Sequence, residues 1–290
     1  MPPPPVSFHT KGKRMVYNES YIVVDQAYVQ YMPPVSVGNK EYSPADLPIL
    51  FIHGGGLTGA MWEATPDRRP GWAVLASRPP YTRSVYCIDA VDSGRSQRCP
   101  DDLRSAPVEY RTAKQMHERF RLAPSENKST DDQEYQFPLE HLDALIATQS
   151  ARRRGQEQYS AEAKGIQDAI SEIGECDIIA HSNGCSTCIS ALLDPNTTSK
   201  VRRLVLVEPA WALTDSTDHL KDVTTLLVWG DHLAGHEMWE PIVEYYRDLE
   251  GDVTVYDLPK MGIRGNSHFP MHDRNSDEVG HLILKWLQKA

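Results

Sequence analysis

The chain has 290 residues, of which 40 are acidic and 30 are basic, giving a formal charge of −10 at neutral pH. This charge argues against nucleic acid as a partner, because phosphate backbones bind basic surfaces. No stretch approaches the roughly 18 consecutive apolar residues that span a membrane, and the N-terminal "MPPPPVSFHTKGKR" has prolines where a signal peptide would be apolar. We therefore predict a soluble, cytoplasmic protein, although sequons at Asn18, Asn127 and Asn196 leave secretion open. Five scattered cysteines require no disulfide.

The chain begins with extended segments and continues with alternating strands and helices. "SFHTKGKRMVYN" and "YIVVDQAYVQYMPP" predict an antiparallel edge of a sheet. Six short apolar runs then predict parallel strands buried on both faces: "LPILFIHGGG", "RSVYCIDAVDS", "CDIIAHSNG", "RRLVLVEPA", "TTLLVWGDH" and "DVTVYDLPKMG". Helical stretches alternate with them over 161–173, after Ser182, over 237–249 and over 277–289. This order predicts an α/β fold with a doubly wound, mostly parallel sheet.

Residues 97–160 interrupt this alternation. They are highly charged and contain two candidate helices, about 108–121 and 138–154, around "APSENKSTDDQE". We predict a helical cap inserted into a core formed by 1–96 and 161–290, with an ornamental surface insertion as the alternative. Ligands bind at the carboxyl ends of the strands in open α/β sheets, so a cap there would select substrates by shape. The basic run 152–154 is interpreted as the C-terminal end of a helix.

The segment "DIIAHSNGCS", residues 177–186, carries an apolar strand directly into a serine. Its core, Ala180-His181-Ser182-Asn183-Gly184, corresponds to G-x-S-x-G, in which a sharp strand-to-helix turn exposes a nucleophilic serine. Alanine replaces the first glycine here. The pentapeptide alone is equally compatible with an ordinary helix N-cap, so the prediction of a Ser182 nucleophile depends on its context.

A glycine-rich loop supplies that context. His53-Gly54-Gly55-Gly56 follows a predicted strand, and consecutive glycines let backbone N–H groups approach a ligand oxygen. We predict that the N–H groups of Gly55 and Asn183 form an oxyanion hole; a flexible loop is the alternative.

A nucleophilic serine also requires an acid and a histidine, which follow it in the order acid and then histidine in this architecture. Glu208 and Asp231 each follow a predicted strand. We favour Glu208, with Asp231 as the alternative acid, because Asp231 stands one residue after Gly230 and suits a turn. In "MGIRGNSHFPMHDRNS", His268 is the predicted general base, whereas His272 is predicted to make a surface or capping contact.

Taken together, these residues give the chain a resemblance to the α/β-hydrolase superfamily. More closely, it resembles a small esterase family of bacteria and fungi that keeps a glutamate after the sixth core strand as its acid. The matching stretches run from residue 47 onward: "HGGGLTGAMWE", "TPDRRPGW", "VDSGRS", "AHSNG", "VLVEPA" and "GIRGNSHFPMHDRNS". The resemblance implies a catalytic triad of Ser182, Glu208 and His268 with an oxyanion hole at Gly55 and Asn183.

Several further residues have competing interpretations. Trp211 and Phe269 are predicted to line a substrate pocket, whereas Trp62, Trp72 and Met271 favour the core. The C-x-x-C pair Cys185 and Cys188 is predicted to pack on the sheet rather than to carry redox chemistry. His232 and His236 share an i,i+4 spacing, but a loop there does not favour a zinc site. No cofactor and no metal are expected.

The predicted function is hydrolysis of a carboxylic ester or lactone through an acyl-enzyme on Ser182. One alternative is a natural-product pathway enzyme that uses the same triad for lactonisation, thioester release or carbon–carbon bond cleavage. A non-catalytic, hydrolase-like binding protein is a second alternative. The expected partner is a small ester or lactone, and a homodimer is left open as the oligomeric state.

Overall fold

The computed structural model describes residues 5–35, 47–104, 106–123, 135–211 and 217–288. The sequon at Asn127 and nearly all of "APSENKSTDDQE" lie outside these ranges. Four strands begin the fold: β1 (Phe8–His9), β2 (Lys13–Tyr17), β3 (Ser20–Val24) and β4 (Tyr28–Met32). β1 pairs antiparallel with β4, and β4 pairs antiparallel with a central strand, so the predicted antiparallel edge is confirmed.

β2 and β3 form a hairpin apart from the main sheet, which the sequence analysis did not predict. The two turn residues between them, Asn18 and Glu19, both have positive φ, at 45° and 61°. Such a pair of left-handed residues is the geometry of the two-residue turn that matches the twist of paired strands.

Six further strands complete the main sheet: β5 (Ile49–Ile52), β6 (Val85–Asp89), β7 (Cys176–His181), β8 (Val201–Val207), β9 (Thr224–Trp229) and β10 (Val253–Asp257). They lie in the order β1-β4-β6-β5-β7-β8-β9-β10, and the strands from β6 to β10 are parallel. Every residue of β5, β6 and β7 is buried, as their continuous apolar runs predicted. β10 lies at the edge of the sheet and has no fully buried residue, so the prediction that this strand is buried on both faces was wrong. The predicted α/β fold with a doubly wound, mostly parallel sheet is confirmed.

The order of the strands places a crevice next to β5. The chain passes from β5 to β6 on one side, and β7 lies on the other side of β5. Loops that leave neighbouring strands toward opposite sides of a sheet open a crevice at the carboxyl ends, where ligands bind in this class of fold. The glycine loop follows β5 and Ser182 follows β7, so both border that crevice.

The helices of the core are α1 (Trp72–Ser77), α4 (Gln156–Ile173), α5 (Asn183–Ala191), α6 (Pro195–Thr198), α7 (Glu240–Arg247) and α8 (Ser276–Leu287). The four predicted helices correspond to α4, α5, α7 and α8. α4 begins five residues earlier than predicted, and α1 and α6 were not predicted because each has only one or two turns. α1 packs against α8 and α4 packs against α5. None of the helices in the described ranges is long and apolar enough to cross a bilayer.

Among the described residues between 97 and α4, the structure has two short α-helices, α2 (Ala113–Arg119) and α3 (Leu142–Ala147), which lie against each other. Both are shorter than predicted. α3 ends five residues before Arg152, so the basic run 152–154 is not the end of a helix, and that prediction was wrong. Arg152 and Arg153 are buried instead, and Arg153 forms a 2.6 Å ion pair with buried Asp92 after β6. This pair ties residues 97–160 to the core.

Candidate active site

Ser182 occupies a strained turn between β7 and α5. Its φ of 54° and ψ of −123° are rare for a residue with a side chain and are typical of a serine presented at a sharp strand-to-helix turn. Small neighbours make the turn possible. A Cβ on Gly184 would lie 2.3 Å from the carbonyl oxygen of His53, and one on Gly54 would lie 2.7 Å from Nδ1 of His181. Ala180, which replaces the first glycine of the motif, is fully buried on β7.

The structure brings Ser182, His268 and Glu208 together from three separate segments. Oγ of Ser182 lies 2.9 Å from Nε2 of His268, and Nδ1 of His268 lies 3.1 Å from Oε2 of Glu208. All three side chains are buried. Since a carboxylate only accepts hydrogen bonds, Nδ1 carries the proton and Nε2 is free to accept the hydroxyl proton of the serine. This is the arrangement in which a histidine activates a serine hydroxyl.

The alternative acid, Asp231, lies apart from the imidazole of His268. Its carboxylate accepts hydrogen bonds from the backbone N–H groups of His232 at 2.7 Å and Gly265 at 2.9 Å. It therefore closes the turn after β9 and fixes the start of the loop that carries His268, which agrees with the turn role suggested by its position after Gly230.

Arg121 is a site residue that the sequence analysis did not identify. Its Nη2 donates a 2.6 Å hydrogen bond to Oε2 of Glu208, and its Nε donates to the carbonyl oxygen of Asp231 at 2.8 Å. The guanidinium also lies over the ring of Trp239. Burial raises the pKa of the Glu208 carboxyl, but Arg121 and His268 outweigh that effect and hold the pKa below its ordinary value. Glu208 is therefore ionised at neutral pH. The two partners are 87 positions apart in the sequence, and no local sequence pattern connects them, so the pair was not predicted.

His268 is held in a closely packed aromatic environment. Its ring stacks on Phe120 at 4.8 Å and lies 4.4 Å from the ring of Trp239, and the backbone N–H of His268 donates to the carbonyl oxygen of Phe120. Burial, together with Arg121 and Arg111, lowers the pKa of His268 to about 4, although Glu208 opposes this shift. The imidazole is neutral at neutral pH, as a general base must be.

The predicted oxyanion donors lie next to each other. A Cβ placed on Gly55 would be 3.2 Å from Cβ of Asn183, so the two residues border the same space beside Ser182. His53 fixes the start of the glycine loop. Its Nε2 accepts a 2.9 Å hydrogen bond from the N–H of Ala90, and its Nδ1–H donates to the carbonyl oxygen of Gly54 at 2.7 Å.

A buried polar network explains the "GNSHFPMHDRNS" segment. Asp273 accepts hydrogen bonds from the N–H of Ser267 at 2.8 Å, from Oγ of Ser267 at 2.8 Å and from Nδ2 of Asn266 at 3.0 Å. Burial raises the pKa of Asp273 to about 7, although these hydrogen bonds oppose the shift. His272 is also fully buried and contacts the carbonyl oxygen of Met61 through Nε2 at 3.0 Å, so the predicted surface or capping contact was wrong. Both groups hold the loop of His268 against the core.

A pocket opens at Ser182, and Trp211 lies on its wall, 47% exposed. Phe269 does not line this pocket. It is 2% exposed and packs between the rings of His181 and His272 beneath the site. Phe269 therefore supports His268 from below. The loop turns the side chains of these two neighbouring residues in different directions, and that of Phe269 faces the core. Three other apolar candidates are core residues, as favoured from the sequence: Trp62, Trp72 and Met271.

The cysteine pair is buried, and His232 of the histidine pair packs against an aromatic ring. Cys185 and Cys188 are buried and unpaired, and burial raises the pKa of the Cys185 thiol well above its ordinary value. The ring of His232 stacks on Tyr135 at 4.2 Å. In the part of the chain that the structure describes, no group of three His, Cys, Asp or Glu side chains is arranged to hold a metal ion.

Comparisons with known proteins agree with this architecture. No protein-family model matches the chain. The probable secreted lipase phiG of a fungal species (strain ATCC 74256) is 24% identical, with 98% of this chain and 93% of that protein covered. A solved structure of a novel bacterial esterase is 23% identical and superimposes with a TM-score of 0.80, covering 99% of this chain and 97% of that one. Carboxylesterase CesB from Bacillus subtilis is 11% identical and superimposes with a TM-score of 0.50, covering 99% of this chain and 93% of that one.

The same architecture also occurs in a proline iminopeptidase from Mycobacterium smegmatis, at 11% identity and a TM-score of 0.53 over 97% of both chains. Esterases and a peptidase thus share this sheet and its helices, so the fold by itself does not fix the substrate. The strand order, the helices and these likenesses together show that the chain has the α/β-hydrolase fold.

Proposed function

We propose that this protein is a carboxylic ester hydrolase that acts through an acyl-enzyme on Ser182. The observation that carries the proposal is the continuous series of hydrogen bonds from Oγ of Ser182 through the imidazole of His268 to Oε2 of Glu208. A serine hydroxyl is a weak nucleophile by itself and becomes effective when an adjacent base accepts its proton. The likeness to proteins named as esterases and as a lipase supports an ester as the substrate.

In the proposed acylation step, Oγ of Ser182 attacks the ester carbonyl carbon while Nε2 of His268 takes the hydroxyl proton. The tetrahedral oxyanion is stabilised by the N–H groups of Gly55 and Asn183, the latter at the N-terminus of α5. The carbon–oxygen bond to the alcohol then breaks, and His268 returns the proton to the departing alkoxide. A lactone follows the same step, with the alcohol remaining attached to the acyl group.

Deacylation repeats these transfers with water as the nucleophile. His268 takes a proton from the water, the hydroxide adds to the acyl carbon, and the proton returns to Oγ as the acid is released. In both steps Glu208 stabilises the transient imidazolium, and Arg121 keeps that carboxylate ionised and in position. Each step uses only the chain's own residues and water.

We further propose that residues 97–160 act as the cap that selects the substrate. Three of the residues that line the pocket at Ser182 come from this segment's first half, and Arg121 of the same segment reaches Glu208. These three are Arg111, Arg119 and Phe120. A segment that contributes both the wall of the pocket and a contact to the triad acid is suited to couple substrate binding to the catalytic residues.

The test is the intact mass of the protein after incubation with a fluorophosphonate, with the wild type beside Ser182→Ala. A single adduct in the wild type alone, together with hydrolysis of a panel of simple esters that the variant fails to hydrolyse, is the expected result. A Ser182→Ala variant that folds and retains full esterase activity would overturn the proposal. Thermal unfolding of both proteins provides the control for folding.

A further inference from the structure

The pocket at Ser182 has an unusually high positive charge for a chain with a net charge of −10. Four of its lining residues are arginines, all within the predicted cap: Arg111, Arg119, Arg152 and Arg154. Among the described residues, two carboxylates lie near them: Glu109 pairs with Arg154 at 2.7 Å, and Glu162 lies 3.7 Å from Arg152. The pocket therefore has two positive charges more than negative ones, and such an excess attracts and concentrates anions.

Arg152 is the most deeply placed of these residues and has unused hydrogen-bond donors. It is 7% exposed, and neither its Nε nor its Nη2 has a hydrogen-bond partner in the ranges that the structure describes. The carboxylate of Glu162, at 3.7 Å from Nη2, is beyond hydrogen-bond distance. Buried N–H groups of a charged side chain are costly to leave unpaired, so a ligand that accepts hydrogen bonds from Arg152 stabilises this arrangement.

Arg152 and Arg111 both lie directly at the predicted oxyanion hole. A Cβ on Gly55 would be 2.0 Å from Nη1 of Arg152, so the guanidinium rests on the bare Cα of that glycine. Nη1 of Arg111 donates to the carbonyl oxygen of Gly55, whereas its buried Nε has no partner among the described residues. Burial and the neighbouring arginines, Arg152 first among them, lower the pKa of Arg111 to about 10. An anion at this point relieves the mutual repulsion of the two guanidinium groups.

The remaining lining residues have the opposite character. Beyond Ser182 and Asn183, the pocket is bordered by apolar and aromatic side chains that follow β8 or lie next to or within α7: Ala210, Trp211, Met238, Trp239 and Ile242. Two aromatic rings of the cap, Phe120 and Tyr159, also line the pocket. The nucleophile thus lies in a pocket that offers charge and hydrogen-bond donors from the cap, and apolar surface mainly from the core. A ligand that fits both has an acidic group and an apolar group joined near the reacting carbonyl.

We propose that the ester hydrolysed by this protein carries an ionised carboxylate, which Arg111 and Arg152 bind, while its apolar part contacts Trp211 and Trp239. This inference rests on the proposed function and names its substrate class. A guanidinium matches the two oxygens of a carboxylate with parallel N–H groups, which gives both affinity and orientation. Because both arginines border Gly55, the carboxylate lies within a few atoms of the scissile ester, as in a monoester of a short dicarboxylic acid.

The test compares kcat/KM for two charged esters with their neutral amide counterparts. In the first pair, monobutyl glutarate and the butyl ester of glutaric acid monoamide, the carboxylate or amide is on the acyl part of the ester. In the second pair, 4-acetoxybenzoate and 4-acetoxybenzamide, it is on the alcohol part. We expect the wild type to prefer the charged member of at least one pair by about tenfold or more. Arg152→Gln and Arg111→Gln should remove that preference through a higher KM. Arg247→Gln, at an exposed position at the end of α7, loses the same charge and should retain the preference.

Two results would overturn the inference: equal kcat/KM for the members of both pairs, or Arg152→Gln lowering kcat equally for charged and neutral esters. The second result would mean that Arg152 acts on the oxyanion alone. Calorimetry of glutarate binding to Ser182→Ala, with glutaramide as the neutral control, tests the anion site without turnover. Glutarate binding that depends on Arg152, without any fluorophosphonate adduct or ester hydrolysis, would overturn the proposed function but not the anion site. Ester hydrolysis without a charge preference and without glutarate binding would overturn the anion site but not the proposed function.

Discussion

Nη2 of Arg121 lies 2.6 Å from Oε2 of Glu208, and both side chains are buried. The same carboxylate oxygen accepts the hydrogen bond of His268. Removing one partner of a buried ion pair leaves an uncompensated charge, at a cost of about 3–5 kcal/mol. Arg121 compensates the buried charge of Glu208 beside the imidazole, so we assign this arginine as a positioning residue for the proposed triad.

The first prediction concerns Arg121→Gln. Arg121 lowers the pKa values of both Glu208 and His268, so its removal should raise both and move the acidic limb of the kcat/KM profile to higher pH. We also expect a lower kcat at neutral pH. The measurement is the pH profile of kcat/KM for Arg121→Gln beside that for Arg121→Lys. The lysine variant keeps the positive charge, so its acidic limb should stay at the wild-type pH. An unchanged limb in a folded Arg121→Gln variant would contradict this role.

The second prediction distinguishes the two candidate acids. Glu208→Gln should lower kcat by a factor of the order of 10⁴, because the carboxylate that orients and stabilises the imidazolium is lost. Asp231→Asn should have a far smaller effect, since that side chain accepts backbone N–H groups of a turn rather than a proton of His268. Steady-state kinetics on one ester compares them. The reverse ranking would assign the acid to Asp231.

The third prediction follows from the pKa of His268, which burial lowers to about 4. A general base functions only when it is unprotonated, so activity should be retained well below pH 6 and should fall as the pH approaches 4. The kcat/KM profile of the free enzyme reports this ionisation, with the circular dichroism spectrum recorded at each pH as the control for folding. An acidic limb with an apparent pKa near 6.5, the ordinary value for histidine, would contradict this prediction.

The elements of the fold were predictable because local sequence determines them. The six apolar runs became strands because short, continuous apolar runs favour parallel strands of a largely buried sheet. Ser182, His268 and Glu208 stand at strand ends or in the loop before the last helix. Adjacent positions 268 and 269 show where prediction from the sequence fails. His268 was predicted as the general base and Phe269 as a residue of the pocket wall, but the loop turns only His268 toward Ser182 and turns Phe269 toward the core, which depends on tertiary packing.

The charged residues of the site were the least predictable. Arg121 and Arg152 stand in a highly charged segment, and the carboxylates that approach their guanidinium groups lie 87 and 10 positions further along the chain, at Glu208 and Glu162. Arginines pair across long sequence separations without any periodicity that a single sequence displays. What the sequence did contain was a highly charged insertion next to a hydrolase-like core, which was the basis for predicting a cap.

The fourth prediction concerns Asp273, whose carboxyl holds the loop of His268 and whose pKa burial raises to about 7. In the unfolded chain an aspartate has a pKa near 3.9. Between these two values the folded protein binds a proton that the unfolded chain does not, so this group's contribution to stability is present below about pH 4 and is lost as the pH rises to about 7. The linkage slope is roughly 1.4 kcal/mol per pH unit within that window.

Asp273→Asn should remove this dependence, because the amide can still accept the hydrogen bonds of Ser267 and Asn266 through its oxygen and does not ionise. The difference in free energy of unfolding between variant and wild type, from urea titrations at pH 5, 6, 7 and 8, should therefore move in favour of the variant as the pH rises to about 7 and then level off. Asp67→Asn, a partly exposed aspartate paired with Arg69, is the matched control. A parallel pH dependence of wild type and Asp273→Asn would show that Asp273 is ionised throughout this range in the folded protein.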